Sequence, residues 1–479
     1  MDFNKRVGKR ISAFRARLHH TEGASNVIFF YTLFLSLSFL VASVVGAYIT
    51  NEKDFWQNLT AIYTSPSPLV TDYFALAGLG STFFNASICG FFTNLVIYLS
   101  RVKSNATVFA AYLLVVAHCF YGLNILNMLP PIIGVLVYSL VRRIPFSQNV
   151  HLALFSTALG PFISELVFRY PLTHTHSSGF SISGVVVSLI FGIASGFLVP
   201  ALIPGTAKMH RGYNMYKAGL AIGLFGIFAF AFMYQTLGVE APTPIVPDNS
   251  EYFSMPYKHI VFVNAYLLIL FALTLILGYI LNRRSFDGYT DLLRSTGYGV
   301  DFVDKFGMPL CLVNFAVYGT VFLGFINIAT LLPTLIPALP QAAGFTGATI
   351  GVVFAALTFS ADGQQPRTVF PVILGYCLLF VLVSGISLAF SKDIEWTLGT
   401  QGYINGLAFA TGLCPLAGKF GFKYGVVAGF LSAVICTSTS AMHGGFVLYN
   451  GGFSAGLTAL ILVPVLEFYN IEPKYSDDN

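Results

Sequence analysis

Two histidines occupy matched places in the chain. His210 lies in GIASGFLVPALIPGTAKMHRGYNMYKAGLAIGL (Gly192 to Leu224), and His443 in GVVAGFLSAVICTSTSAMHGGFVLYNGGFSAGL (Gly425 to Leu457). The stretches align without a gap and share Met-His-x-Gly, with Tyr216 and Tyr449 at the same distance beyond each histidine. Sequence this dense in glycine and small polar residues unwinds easily. At membrane depth, irregular backbone is tolerated only where it lines a cavity or is buried in protein. Two readings follow. One is a broken helix that exposes backbone groups and an imidazole to a solute, with Tyr216, Tyr449 and Asn450 as further contacts. The other is an interfacial loop whose glycines serve tight turns and helix packing. His443 has the better case, because Ser438, Thr439, Ser440 and Asn450 surround it, whereas Lys208, Arg211 and Lys217 around His210 look like cytoplasmic anchors.

Asn85 and Asn314 also fall at matched positions, each inside a long apolar run. A buried amide needs partners, so each either contacts a cation or polar solute, or bonds between helices. Glu165 and Lys419 follow a repeated Leu-x-Pro (Leu159 and Pro161; Leu413 and Pro415), where the proline interrupts the helix ladder. An ionisable residue in such a run is a candidate for gating or coupling, with snorkelling from a helix end as the alternative. Asp362 and Arg367 belong to a polar break, ADGQQPR, that is either a gate or a loop. His118, Asp72, Asp301 and Glu467 are weaker candidates of the same kind.

Catalytic motifs are sparse. Gly412 to Phe420 approaches a phosphate-binding loop, but it has one residue too many and no hydroxyl after Lys419. The single G-x-S-x-G, Gly452 to Gly456, sits in an apolar run rather than on a strand-to-helix turn, and reads as packing glycines. No H-E-x-x-H or C-x-x-C occurs, and the six cysteines are scattered singly as small apolar residues. His174 and His176 form a short His-x-His in a Ser-rich insertion, a pair that could ligate a metal but reads first as a solvated loop. The sequence calls for no catalytic residue, no cofactor, no resident metal and no nucleic acid.

The elements that carry these residues follow from composition. Hydrophobic residues make up 56% of the 479 and charged residues 9%, against roughly 25% charged in a soluble domain. Such a chain cannot cover itself against water, so lipid must be its main solvent. Lys5, Arg6, Lys9, Arg10, Arg15 and Arg17 precede the first apolar run and read as a cytoplasmic anchor beside anionic headgroups. That run, about 27–49, is too long for a signal-peptide core and is expected to remain as the first span.

Besides the histidine segments, TALGPFISELVFRY (Thr157 to Tyr170) aligns with TGLCPLAGKFGFKY (Thr411 to Tyr424). Asp72, Gly78, Asn85 and Gly90 align with Asp301, Gly307, Asn314 and Gly319. The order is kept, which marks an internal duplication. Residues 1–21 form a basic segment, 22–235 the first transmembrane repeat, 236–257 a polar extracytoplasmic linker, 258–470 the second repeat, and 471–479 a cytoplasmic tail. The basic flank precedes the first helix of one half and follows that of the other (Arg283, Arg284). The halves are therefore expected to lie in the membrane with opposite topology, which requires an odd number of crossings each. About seven apolar runs per half are visible, several too short to span and so readable as half-helices or re-entrant segments. Inverted repeats place a transport site near the midplane where they meet.

PSPLVTDYFALAGLGSTFFNASICG (Pro66 to Gly90) and MHGGFVLYNGGFSAGL (Met442 to Leu457) resemble segments of a bacterial membrane-protein family defined by domain of unknown function 1576. The resemblance implies a many-helix protein of the bacterial inner membrane. It supplies no substrate and no site residues. In plan alone the chain is also similar to inverted-repeat solute channels such as urea transporters.

The expectation is an all-α bundle of two inverted repeats with about 14 helical segments and both termini cytoplasmic. It would move a small polar or anionic solute, or an ion held by backbone dipoles, rather than act as an enzyme, with membrane lipids and that solute as partners and a homo-oligomer open. The alternatives are a membrane enzyme on a lipid-like substrate and a scaffold or sensor without flux.

Overall fold

The computed structural model describes residues 21–69, 71–170, 180–241, 256–340 and 344–477. The N-terminal basic cluster, His174, His176 and part of the linker lie outside the described residues. Among those described, all regular structure is helical. The first half contains α1 (Thr21–Thr50), α2 (Phe55–Thr64), α3 (Tyr73–Ala77), α4 (Leu79–Ser100), α5 (Ala106–His118), α6 (Ile125–Val141), α7 (Val150–Ser156), α8 (Gly160–Phe168), α9 (Ile182–Met209) and α10 (Lys217–Phe230). The second repeats this order: α11 (Pro256–Leu281), α12 (Tyr289–Arg294), α13 (Phe302–Phe306), α14 (Met308–Leu335), α15 (Gly347–Ala356), α16 (Pro366–Ala389), α17 (Gln401–Ala410), α18 (Cys414–Phe420), α19 (Phe422–Met442) and α20 (Asn450–Phe468). A 3₁₀ turn links α7 to α8 (Thr157–Leu159) and α17 to α18 (Thr411–Leu413).

By length and apolar composition, ten helical stretches among the described residues can cross a membrane. The reason is visible in α1. Ile28, Tyr31, Leu35, Phe39 and Ala42 are buried at helical spacing, yet the opposite face carries Phe30, Leu37, Val41 and Val44, exposed and equally apolar. A helix apolar on every side suits a protein core on one face and hydrocarbon on the other. α5 has 13 residues, about 20 Å of helix, and α15 has 10. Neither reaches across a hydrocarbon core of about 30 Å, and both are almost wholly buried.

Glycine allows the closest approaches in both halves. A Cβ on Gly196 would fall 2.0 Å from the Pro131 carbonyl of α6, and one on Gly429 2.0 Å from the Val372 carbonyl of α16. Backbones packed this tightly exchange dispersion contacts that larger side chains would forbid.

The half-helices end in matching breaks. Gly122 and Gly363, both at positive φ (102° and 122°), make the turn that leads into α6 and α16. Asn85 on α4 donates to the carbonyls of Cys119 and Leu123, at 2.8 and 2.9 Å. Asn314 on α14 donates to those of Ser360 and Gln364, both at 2.7 Å. Each amide satisfies carbonyls that the interrupted helix leaves without an intrahelical donor.

Corresponding helices of the two halves meet one another in antiparallel pairs. Along α1, Tyr31 bonds to Thr274 and Ser38 to Tyr266 (both 2.8 Å), so the α11 partner falls as the α1 number climbs. Beside α15, Gly347 lies against the Phe120 carbonyl and Gly351 against that of Ala117. Where α10 crosses α20, Leu220 meets Gly456, while Gly226, further along, meets Val447. At that crossing Gly219 lies on its own counterpart, Gly452.

Candidate functional site

Each His-Gly loop pairs with the broken helix of the other half. Met215 N–H donates to the Gly412 carbonyl at 2.9 Å, and Leu448 N–H to the Ala158 carbonyl at 3.1 Å. The 3₁₀ breaks are thus held by loops from across the seam. Asn214, beside Met215, donates to the Gly452 carbonyl at 3.1 Å. Tyr216 donates its hydroxyl to the Ala355 carbonyl near the end of α15. Tyr449 stands at the equivalent place, but its hydroxyl is buried without a hydrogen-bond partner. Its ring packs on His118, 5.3 Å away, whose ring nitrogens face the carbonyls of Leu114 and Leu448.

The histidines that open the sequence pattern terminate α9 and α19, and both are wholly buried. His443 Nε2 lies 2.9 Å from Asn450 Oδ1, whereas neither ring nitrogen of His210 has a hydrogen-bond partner. Burial, with Lys217 nearby, pushes the His210 imidazole down to about 4. Burial also pushes His443 down to about 4, against its bond to Asn450. Both are therefore neutral at physiological pH and unsuited to holding a permanent anion by charge.

A cavity of about 270 Å³ opens between the halves. The first half contributes Thr107, His151, Phe155, Met215, Tyr216 and Lys217 to its wall, and the second Phe359, Asp362 and Tyr449. A further space of about 240 Å³ shares Thr107, Met215, Lys217 and Asp362, and is rimmed by Gly297, Gly299 and Asp301. Lys217 is exposed and Asp362 half-buried. Burial first, then Asp301, push the Asp362 carboxyl up to about 7, against the pull of Lys217. The corresponding positions on the other side of the seam are Leu448, Asn450, Tyr121 and Asn405. All four are buried, Tyr121 donates to Asn405 at 3.3 Å, and Asn450 meets His443. The seam is thus open at one set of equivalent positions and packed at the other.

The halves of this arrangement also coincide with two segments of one family model, described as a protein of unknown function (DUF1576), which matches residues 51–235 and 281–468. The chain belongs to the DUF1576 family. No curated protein and no solved structure matches it.

The DUF1576 fold brings Tyr216, Tyr449 and Asp362 to one cavity, with Asp301 on the rim of the adjoining space, and leaves the main remaining candidates elsewhere. Asn85 and Asn314 spend their amide protons on main-chain carbonyls. Glu165 and Lys419, equivalent in sequence, are not neighbours. Glu165 is fully buried, paired with Arg169 at 2.8 Å, and accepts from Tyr234 at 2.8 Å. Lys419 lies 4.9 Å over the Tyr298 ring, and its carbonyl accepts from Lys474 and Tyr475 of the C-terminal tail. Arg367 is exposed. Sequence reasoning passed over Thr107, His151 and Lys217. For Lys217 a signal existed: it aligns with Asn450 in the repeat, a position already singled out, but its charge argued for an anchor.

Proposed function

We propose that this DUF1576 protein moves a small polar or charged solute across the membrane, by exposing a site between its halves to each side in turn. The observation that carries the reading is the cavity walled by both halves, open beside Lys217 and Asp362 while the equivalent positions are packed. Its volume lies just below the roughly 300–1,000 Å³ of drug-sized pockets, which suits a small metabolite.

The halves on this reading are inverted repeats. Three corresponding helix pairs, α1/α11, α5/α15 and α10/α20, pack antiparallel, and helices related by a half-turn in the membrane plane must do so. Gly219 on Gly452, with Gly223 against Phe453 and Leu220 against Gly456, is the reciprocal pattern expected along a twofold axis. Arg101, Arg143, Arg211, Arg283 and Arg284 supply the left-handed residue at or just beyond helix C-termini, where a cation also complements the helix dipole. With basic residues facing inward, the open cavity would face the cytoplasm of the inner membrane, and both termini would lie there. In inverted repeats the two gates are built from equivalent parts, so opening one while closing the other exchanges the conformations of the halves.

The test is two-sided labelling. Single cysteines at Lys217 and at Asn450, in a background lacking the native ones, are reacted with an impermeant maleimide from each face of oriented proteoliposomes. Flux of a metabolite panel is followed in vesicles of the cysteine-less parent, which keeps Lys217 and Asn450. The expected result is labelling of Lys217→Cys from one face and Asn450→Cys from the other, with flux for at least one solute. Labelling of both from a single face, with no flux, would end the reading.

A further inference from the structure

We propose that the cavity between the halves binds a small zwitterion, an α-amino acid with an apolar side chain. The inference deepens the transport reading and rests on it. Lys217 from the first half and Asp362 from the second line the same two connected spaces. They lie close enough for the Lys217 charge to act on the Asp362 carboxyl. Yet among the described residues they form no ion pair within 4 Å, and neither side chain has a hydrogen-bond partner. Opposite charges held apart on one cavity wall match a ligand that carries both charges a short distance apart.

The remaining wall supports the same ligand. Lys217 opens α10, a helix of 14 residues, and a carboxylate seated there meets the positive end of the helix dipole as well as the ammonium. Leu114, Phe155, Ile203 and Phe359 give an apolar surface that a hydrocarbon side chain would cover and a polyol would not. Tyr449, 1% exposed and on the same lining, offers a hydroxyl that no protein group satisfies. A buried polar atom without a partner is costly, and a ligand oxygen would complete it. A simple anion would face the Asp362 carboxylate, and a simple cation the Lys217 ammonium. Each leaves one charge repelled, which is how a site discriminates by unfavourable contact.

The experiment uses the full chain in nanodiscs and calorimetric titration with three probes: leucine, 4-methylpentanoate (leucine without its ammonium) and 3-methylbutylamine (leucine without its carboxylate). Wild type is expected to bind leucine at least tenfold more tightly than either analogue. In Lys217→Met leucine should fall to the level of the amine, and in Asp362→Asn to the level of the acid. Arg367→Gln, exposed and outside the cavity, should leave all three unchanged. Equal binding of acid and leucine by wild type would make this an anion site, equal binding of amine and leucine a cation site, and no binding of any probe would exclude the apolar amino acid. Each result overturns the inference while leaving the two-sided labelling experiment to judge transport on its own.

Discussion

Asn314→Leu and Asn85→Leu should cost similar stability but only the first should disturb the cavity. Each asparagine is fully buried and donates two hydrogen bonds to main-chain carbonyls at the end of a half-helix. Leucine preserves the approximate volume and removes both donors. A buried acceptor left without its partner costs about 1–3 kcal/mol, so with two acceptors each variant should lose about 2–6 kcal/mol. The consequences then diverge with what each break carries. The segment released by Asn314→Leu, residues 357–365, bears Phe359 and Asp362, which line the cavity. The segment released by Asn85→Leu, residues 119–124, contributes nothing to that lining. Unfolding in mixed micelles measures the stability loss. Hydrogen exchange locates the loosened segment, and ligand titration or flux reads the cavity. Both variants should show faster exchange in their own break, and Asn314→Leu alone should bind ligand more weakly. A stable Asn314→Leu, or an Asn85→Leu that loses binding as severely, would refute the clamp as described.

The helix crossing makes an asymmetric prediction. A Cβ on Gly219 would lie 2.5 Å from the Gly452 carbonyl carbon, whereas one on Gly452 meets nothing closer than the Tyr216 Cβ at 3.1 Å. Gly219→Ala should therefore lower stability by about 1–3 kcal/mol through overpacking and Gly452→Ala by clearly less, as thermal melts in detergent would register. Among the described residues, Arg169→Met leaves the fully buried Glu165 carboxylate with Tyr234 as its one donor. It should cost about 3–5 kcal/mol, and adding Glu165→Gln should recover part of the loss in the same melts. Capture of an ammonium by Asp362 needs the ionised carboxylate. With its pKa pushed up to about 7, and with Asp301, Asp304, Lys217, His151 and Cys311 as the titratable groups facing it, binding should be full above that pH and fall as the solution is acidified through it. Titrations from pH 5 to 9 should show this dependence in wild type and lose it in Asp362→Asn.

Much of the architecture was legible in the chain. With 9% charged residues the chain has too little polar surface to cover itself against water, and that composition placed it in lipid. The expected segments near 106–121 and 346–360 were too short to span and proved to be the buried half-helices α5 and α15. The repeated Leu-x-Pro marked the breaks before α8 and α18, because a proline cannot donate to the helix ladder and is tolerated only in a first turn. The candidate site was less legible. Asn85 and Asn314 are the buried amides that their apolar runs implied, but whether an amide meets a solute or a carbonyl depends on what is folded against it, and these two residues lie 34 and 46 residues before the carbonyls of Cys119 and Ser360.

The amino-acid sequence by itself determined the solvent, the helices, the duplication and the breaks, since hydropathy, proline and glycine act over a few neighbouring residues. Only the tertiary structure decided that Lys217 shares a cavity with Asp362, that Glu165 is neutralised by Arg169 rather than facing Lys419, and that the seam opens beside Lys217 while the equivalent position, Asn450, is packed. Those outcomes depend on which elements from the two halves meet, and a charge distant in sequence acquires its partner only when the halves close on each other.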